Sequence, residues 1–137
     1  MTLWWSELDQ FPFGDGPELA DQLLVLILSG RKTATCWSAT EGAKDTQVGK
    51  QWVVLDSFGR PRAVVETIEF TKRHFHEVDT AFAFEEGEGD RTLAAWRAEH
   101  ERYFTRNKCF APDMPLYCER FRLIEILDAG AHQLSSN

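Results

Sequence analysis

Lys32 stands three residues before Thr35 in the run Gly30-Arg31-Lys32-Thr33-Ala34-Thr35. Where a chain turns out of a helix, a lysine at this spacing approaches the threonine hydroxyl. A poorly solvated lysine has a lowered pKa and takes a proton from such a hydroxyl. The threonine then becomes a nucleophile for acyl transfer. The same residues also have a plainer reading, in which Arg31 and Lys32 complement the dipole of a helix C-terminus and the threonines begin a strand.

Two acids stand out beside this cluster. Strand alternation puts Val64, Glu66, Ile68 and Phe70 on one face, and a carboxylate among three large apolar side chains is costly to bury without a partner. Either Glu66 looks into a pocket and meets a cation there, or its strand runs near an edge and the acid meets water. Glu119 repeats the pattern among Tyr117, Phe121 and Leu123, and the adjacent Glu119-Arg120 reads most simply as part of a structural ion pair.

The remaining ligand-type residues carry weaker signals. His74 and His76 share one side of an extended segment near Glu77 and Asp79, yet no spacing supplies a third ligand. His100 falls on an apolar helix face beside Trp96 and Tyr103, the setting of a core histidine with one hydrogen bond. The cysteines are Cys36, Cys109 and Cys118, an odd number without a C-x-x-C pair, which reads as buried thiols in a reducing cytosol. The acidic run Glu85–Asp90 lacks calcium-ligand spacing. No nucleophile elbow, phosphate-cradling loop or dinucleotide fingerprint is present. The expectation is a site with neither metal nor cofactor.

The elements that must position these residues are legible in outline. Asp15 as cap, Pro17 and Glu18 mark a helix start, Leu19, Leu23, Leu24, Ile27 and Leu28 recur at helical spacing, and Gly30 ends the helix. Val25 and Leu26 widen the apolar face, which predicts burial on most sides. A short strand over Thr33–Trp37 follows. Gln51–Asp56 and Arg62–Phe70 form a hairpin across a loop of about five residues, and Leu116–Leu127 forms a third long strand. Glu85–Asp90 is a break that caps a helix bearing Leu93, Trp96, His100, Tyr103 and Phe104 on one face. Strands without regular helix alternation predict an α+β fold built on a small curled sheet or barrel.

The 137 residues carry 15 Lys+Arg against 22 Asp+Glu, a net charge of −7, with 43% hydrophobic and 27% charged residues. These are globular values for one domain, 1–137, with a core over about 11–127 and a frayed tail at 130–137. The acidity argues against a protein that coats duplex DNA, which requires many phosphate-neutralising bases. The first ten residues hold two acids and no base, unlike a signal peptide. The longest apolar run, Leu23–Leu28, is six residues, too short for a membrane span. A cytoplasmic location is expected, and no heptad or symmetric patch marks an oligomer interface.

The segments FPFGDGPELADQLLVLILSGRKTAT, GKQWVVLDSFGRPRAVVETIEF, EGEGDRTLAAWRAEHERYF and DMPLYCERFRLIEIL together resemble the ASCH superfamily, small β-barrel proteins related to PUA RNA-binding domains. The chain is most similar to the longer bacterial branch, which carries the EGEGDR…W…H insert. The resemblance implies a partly closed PUA-like barrel with flanking helices and a cleft for nucleosides or nucleic acid. Some small bacterial members remove the acyl group from N4-acetylcytidine with a Thr–Lys–Glu triad, and other members of the longer branch have been assigned ribonuclease activity. Carried over by motif, the triad is Thr35 as nucleophile, Lys32 as proton acceptor and Glu66 orienting Lys32 and protonating the leaving amine. Arg31, Trp37, His100, Tyr117, Glu119 and Arg120 are the candidates to line the substrate pocket. A small neutral nucleoside suits the negative charge, and single-stranded RNA is the alternative partner.

Overall fold

The computed structural model of the chain describes residues 3–14 and 16–127. Five strands form one mixed sheet in the order β1-β3-β4-β5-β2. They are β1 (Gln10–Phe11), β2 (Ala34–Ser38), β3 (Gln51–Leu55), β4 (Pro61–His74) and β5 (Pro115–Ile126). β1 runs parallel to β3 and the other pairings are antiparallel. Three helices, α1 (Pro17–Leu28), α2 (Thr80–Glu86) and α3 (Leu93–Arg106), complete an α+β fold of the PUA-like type. Among the described residues the sheet stays open, with β1 and β2 as its edges.

The expected hairpin is β3–β4, with a five-residue connection in which Asp56 accepts backbone N–H groups from Phe58 and Arg60. β4 continues to His74, longer than predicted, because β5 pairs along nearly its whole length. Helix α1 ends as expected. Gly30 has φ +79°, and the N–H groups of Arg31 and Lys32 both turn back to the Leu26 carbonyl. The predicted cap Asp15 lies outside the described residues. Gly16 holds the N-cap position without a side-chain bond. The tail 130–137 likewise lies outside them. Val25 is 64% exposed, so α1 buries one face rather than most sides.

That buried face, through Leu23, Leu24 and Ile27, packs on Trp52, Val65 and Phe121. A second core joins Phe75, Phe82, Trp96 and Phe104 to Ala34 and Leu116, and so packs α2 and α3 beside the opposite edge of the sheet. α2 was not predicted. Asp79 caps it by accepting from Phe82 N–H, and Gly87 ends it in the left-handed region. The cap of α3 is Thr92 rather than Asp90, whose carboxylate instead accepts from Thr92. Among the described residues no helix is long and apolar enough to cross a membrane.

Candidate active site

The end of α1 delivers Lys32 into the protein interior. Its ammonium is 1% exposed and its three donors are all used. They go to Glu86 Oε2 at 2.8 Å, Glu88 Oε2 at 3.1 Å and the Glu86 carbonyl at 3.2 Å. Burial pulls the Lys32 pKa down, but the charges of Glu86 and Glu88 and their hydrogen bonds outweigh it, and the net shift is upward. For Glu86 burial acts upward, and the charges of Lys32 and His100 with hydrogen bonds from Lys32 and Cys36 bring the net shift down. Lys32 is therefore an ammonium at neutral pH. The expected lowered pKa and proton-accepting role do not hold in the resting protein, because two carboxylates surround the amine.

The backbone around Lys32 is clamped to the end of α2. Thr33 N–H donates to the Glu85 carbonyl at 2.7 Å, and Arg31 donates from Nε to the Gly87 carbonyl at 2.7 Å and from its guanidinium to Gly89. A Cβ built on Gly87 would lie 2.4 Å from the Arg31 carbonyl oxygen, so this approach requires glycine. Arg31 and Arg120, expected against substrate, instead fasten this corner. Arg120 binds Glu85 at 2.8 Å and pairs with Glu69, and its guanidinium lies over Phe82.

One residue beyond Ala34, Thr35 lies directly opposite Glu119 in the β2–β5 ladder. Side chains opposite one another in an antiparallel pair share a face, with Cβ atoms about 4.5–5.5 Å apart. Glu119 is 4% exposed and its Oε2 accepts from Thr67 Oγ1 at 2.5 Å. Burial raises its pKa, and the hydrogen bonds from Thr67 and Trp52 and the charge of Lys50 offset only part of the rise. It is thus the acid with a raised proton affinity in the pocket, not a partner of Arg120.

Glu66 is elsewhere. Gln51 donates to its carboxylate at 3.1 Å and Arg122 at 3.2 Å, bonds that lower its pKa, and it does not line the pocket that holds Lys32 and Thr35. The predicted shared face of Val64, Glu66, Ile68 and Phe70 is broken. Register shifts at Val64/Val65 and Thr67/Glu69 interrupt the alternation, and Phe70 emerges opposite Glu119. Val64 is covered by Val53 and Leu127, whereas Ile68 is 48% exposed. The acids that reach Lys32 are Glu86 and Glu88, from the segment read as a solvated turn. The signal in the sequence was Phe82 and Glu86 at i, i+4 after the cap Asp79, which puts Glu86 on a buried helix face.

Lys32, Thr35, Glu86, Glu88, His100 and Glu119 line a single pocket of about 330 Å³. Strand alternation sets Thr35 and Cys36 on opposite faces of the edge strand β2, and the pocket wraps that edge. Trp37 lines it too, two residues along from Thr35, and donates from Nε1 to the Gly42 carbonyl at 2.7 Å. Tyr117 lies opposite Trp37, and with Phe70 the three rings form a mutual cluster, centroids 5.9, 5.0 and 6.0 Å apart, of which only Trp37 lines the pocket. His100 stacks on Trp96 with centroids at 4.2 Å. His74 bonds Glu77 at 2.9 Å, far along β4 from the pocket residues.

The chemistry available is therefore a threonine one rung across from a carboxyl of raised pKa, an ammonium held by two acids, and aromatic walls. The ASCH domain model matches residues 9–125. An ASCH domain from Lactobacillus crispatus JV V101 superposes with a TM-score of 0.75 at 31% identity, covering 84% of this chain and 79% of that one. Protein EF3133 from Enterococcus faecalis V583 gives 0.76 at 29% identity, covering 94% and 82%. No curated protein matches the chain significantly. With the family model spanning nearly all the described residues, the chain belongs to the ASCH domain family.

Proposed function

We propose that the pocket hydrolyses the amide of N4-acylated cytosine nucleosides, with Thr35 as nucleophile. The observation that carries this reading is the Thr35–Glu119 rung inside a pocket that also buries Lys32. Glu119 takes the place expected of Glu66, and acts on Thr35 directly rather than through Lys32. Its carboxylate accepts the Thr35 proton as Oγ1 bonds the acyl carbon. The oxyanion forms against the Lys32 ammonium by displacing Glu88, which is 39% exposed and the outermost of the ammonium's partners. A preorganised donor of this kind contributes about 3–4 kcal/mol. As the C–N bond breaks, Glu119 returns the proton to the exocyclic nitrogen. Water, deprotonated by the same carboxylate, then attacks the acyl carbon, and as the ester C–O bond breaks Glu119 returns that proton to Thr35 Oγ1, releasing the acid and restoring the hydroxyl.

Pocket size and charge support a nucleoside. A volume of about 330 Å³ is at the small end of ligand sites. Its acids, Glu41, Glu86, Glu88, Glu99 and Glu119, outnumber its lysines, Lys32, Lys44 and Lys50, which disfavours a polyphosphate. The test is incubation with N4-acetylcytidine, with cytidine read by chromatography. Wild-type protein yields cytidine and Thr35→Ala does not. An active Thr35→Ala protein would overturn the mechanism, and an inactive wild type would overturn the substrate.

A second reading rests on the Trp37, Phe70 and Tyr117 cluster. Lys44 lies over Trp37 at 5.2 Å and Lys72 over Tyr117 at 5.7 Å. Aromatic faces flanked by cations suit single-stranded RNA, each stacked base being worth about 1–3 kcal/mol. RNA affinity through this surface falls steeply with salt, whereas hydrolysis of a neutral nucleoside barely responds.

A further inference from the structure

Beside Lys32, three ligand types from three elements converge. Cys36 Sγ (β2), a Glu86 carboxylate oxygen (α2) and a His100 ring nitrogen (α3) all lie within 4.8 Å of one another and line the pocket. We propose that these residues form a binding site for a borderline-soft divalent d-block cation of the zinc class, with a fourth coordination position open to the pocket. The Thr35–Glu119 chemistry does not depend on it, since neither residue is a ligand.

The histidine is the most telling member. Its Nδ1 lies 2.9 Å from the Trp96 carbonyl, which only accepts, so Nδ1 carries the hydrogen. Nε2 then points at Glu86 Oε1 from 3.6 Å. With Nδ1 committed to that carbonyl, Nε2 is the ring's ligating nitrogen, and it faces the same carboxylate oxygen that a cation between the two would share. A ring N–H fixed by a backbone carbonyl is how metal-ligating histidines are usually oriented, and stacking on Trp96 locks the ring plane. Glu86 divides its two oxygens, with Oε2 on Lys32 at 2.8 Å and Oε1 accepting from Trp96 Nε1 at 3.3 Å and facing His100 from 3.6 Å. It can ligate an ion without releasing the ammonium.

Bond lengths and charge agree. Zinc bonds of about 2.0–2.3 Å hold tetrahedral ligands roughly 3.3–3.7 Å apart, so the cluster needs to contract by only about 1 Å from its 4.8 Å limit. Two carboxylates, Glu86 and Glu88, and a Cys36 thiolate against the Lys32 ammonium leave two negative charges, which a divalent ion cancels. Cys36 Sγ and a Glu86 carboxylate oxygen lie within 4.8 Å, and the incoming ion takes the place of the thiol proton.

The test is titration of chelator-treated protein with Co²⁺. One equivalent is expected to bind with a near-ultraviolet thiolate-to-metal band and to be displaced by Zn²⁺. Cys36→Ser removes the band, His100→Gln weakens binding by more than the roughly 10–100-fold that loss of an outer-shell partner costs, and Cys109→Ser changes neither. Absence of stoichiometric binding, or a band that survives Cys36→Ser, overturns the site. Wild-type protein supplies a second measurement that needs no variant. Zn²⁺ is expected to protect Cys36 from alkylation, read by peptide mass spectrometry, and equal labelling with and without Zn²⁺ overturns the proposal even if the variants fail to fold.

Discussion

Lys32 Nζ and Glu86 Oε2 lie 2.8 Å apart with 1% and 2% of their side chains exposed. The pair ties the loop after α1 to the end of α2, and everything at the pocket's inner wall depends on that tie. Removing one member leaves an uncompensated buried charge, which typically costs about 3–5 kcal/mol. Lys32→Met is expected to lower the urea midpoint by a corresponding amount, and Lys32→Met combined with Glu86→Leu to recover most of it. A single variant as stable as wild type would show that water reaches the pair.

The same pair fixes a pH window. The Glu86 pKa is lowered on folding, so its contribution is present above its unfolded value and lost as pH falls through the folded one. The Lys32 pKa is raised, so its contribution is present below its unfolded value and lost as pH rises through the folded one. Stability from this corner is therefore expected to be flat between those limits and to fall on both sides. The measurement is the urea midpoint across pH, compared with the double variant, which lacks both limbs.

Glu119 carries the opposite sign. Its pKa is raised on folding, so ionising it in the native state opposes stability as pH rises past its unfolded value. Glu119→Gln keeps an acceptor for Thr67 and removes the charge. It is expected to be more stable than wild type at neutral pH and no more stable at acid pH. In the same variant kcat/KM for N4-acetylcytidine falls about 10²–10⁴-fold, the usual range for a lost general base, and the acid limb of the wild-type pH profile disappears. A variant that keeps that limb would remove Glu119 from the proton path.

Local patterns made much of this legible. The α1 periodicity and Gly30 place Lys32 because helix stop signals act through the chain's own backbone. The β3–β4 hairpin followed from turn residues and two apolar runs. Glu66 was misplaced because alternation holds only while pairing is regular, and the β4–β5 register shifts are set by strands more than 50 residues apart in sequence. Glu85–Asp90 was read as a break because Glu85-Glu86-Gly87-Glu88 is mostly charged, although Glu86 closes α2 and is 2% exposed. The Phe82–Glu86 spacing marks that buried face, but the Lys32 that offsets the buried charge lies 54 residues away in sequence. Cys36 and His100 meet through the same tertiary packing.

Glu66 supplies a control. Its partners, Gln51 and Arg122, are its cross-strand neighbours, and Arg122 is 61% exposed. Solvent screening and side-chain entropy leave exposed pairs of this kind with little net effect on stability. Glu66→Gln is expected to leave kcat and KM for N4-acetylcytidine within about twofold of wild type, and the urea midpoint unchanged. A loss comparable to that of Thr35→Ala would return Glu66 to the reaction.

Gly87 tests the clamp without touching a charged group. It ends α2 with φ +76°, and an added Cβ would meet the Arg31 carbonyl oxygen at 2.4 Å and the Lys32 Cα at 2.9 Å. A side chain therefore meets two obstacles, a left-handed backbone and a backbone contact that cannot rotate away. Strain of the first kind alone is worth about 1–3 kcal/mol. Gly87→Ala is expected to lose at least that much stability and to push the end of α2 away from β2, lengthening the Lys32–Glu86 contact. Hydrogen exchange should show the displacement as faster exchange at Thr33, whose N–H is held by the Glu85 carbonyl at 2.7 Å. In Gly30→Ala no heavy atom lies within 4 Å of the added carbon, so that variant isolates the left-handed penalty, and Gly87→Ala must lose more. Equal losses in the two would mean that the close approach of α2 to Lys32 contributes nothing.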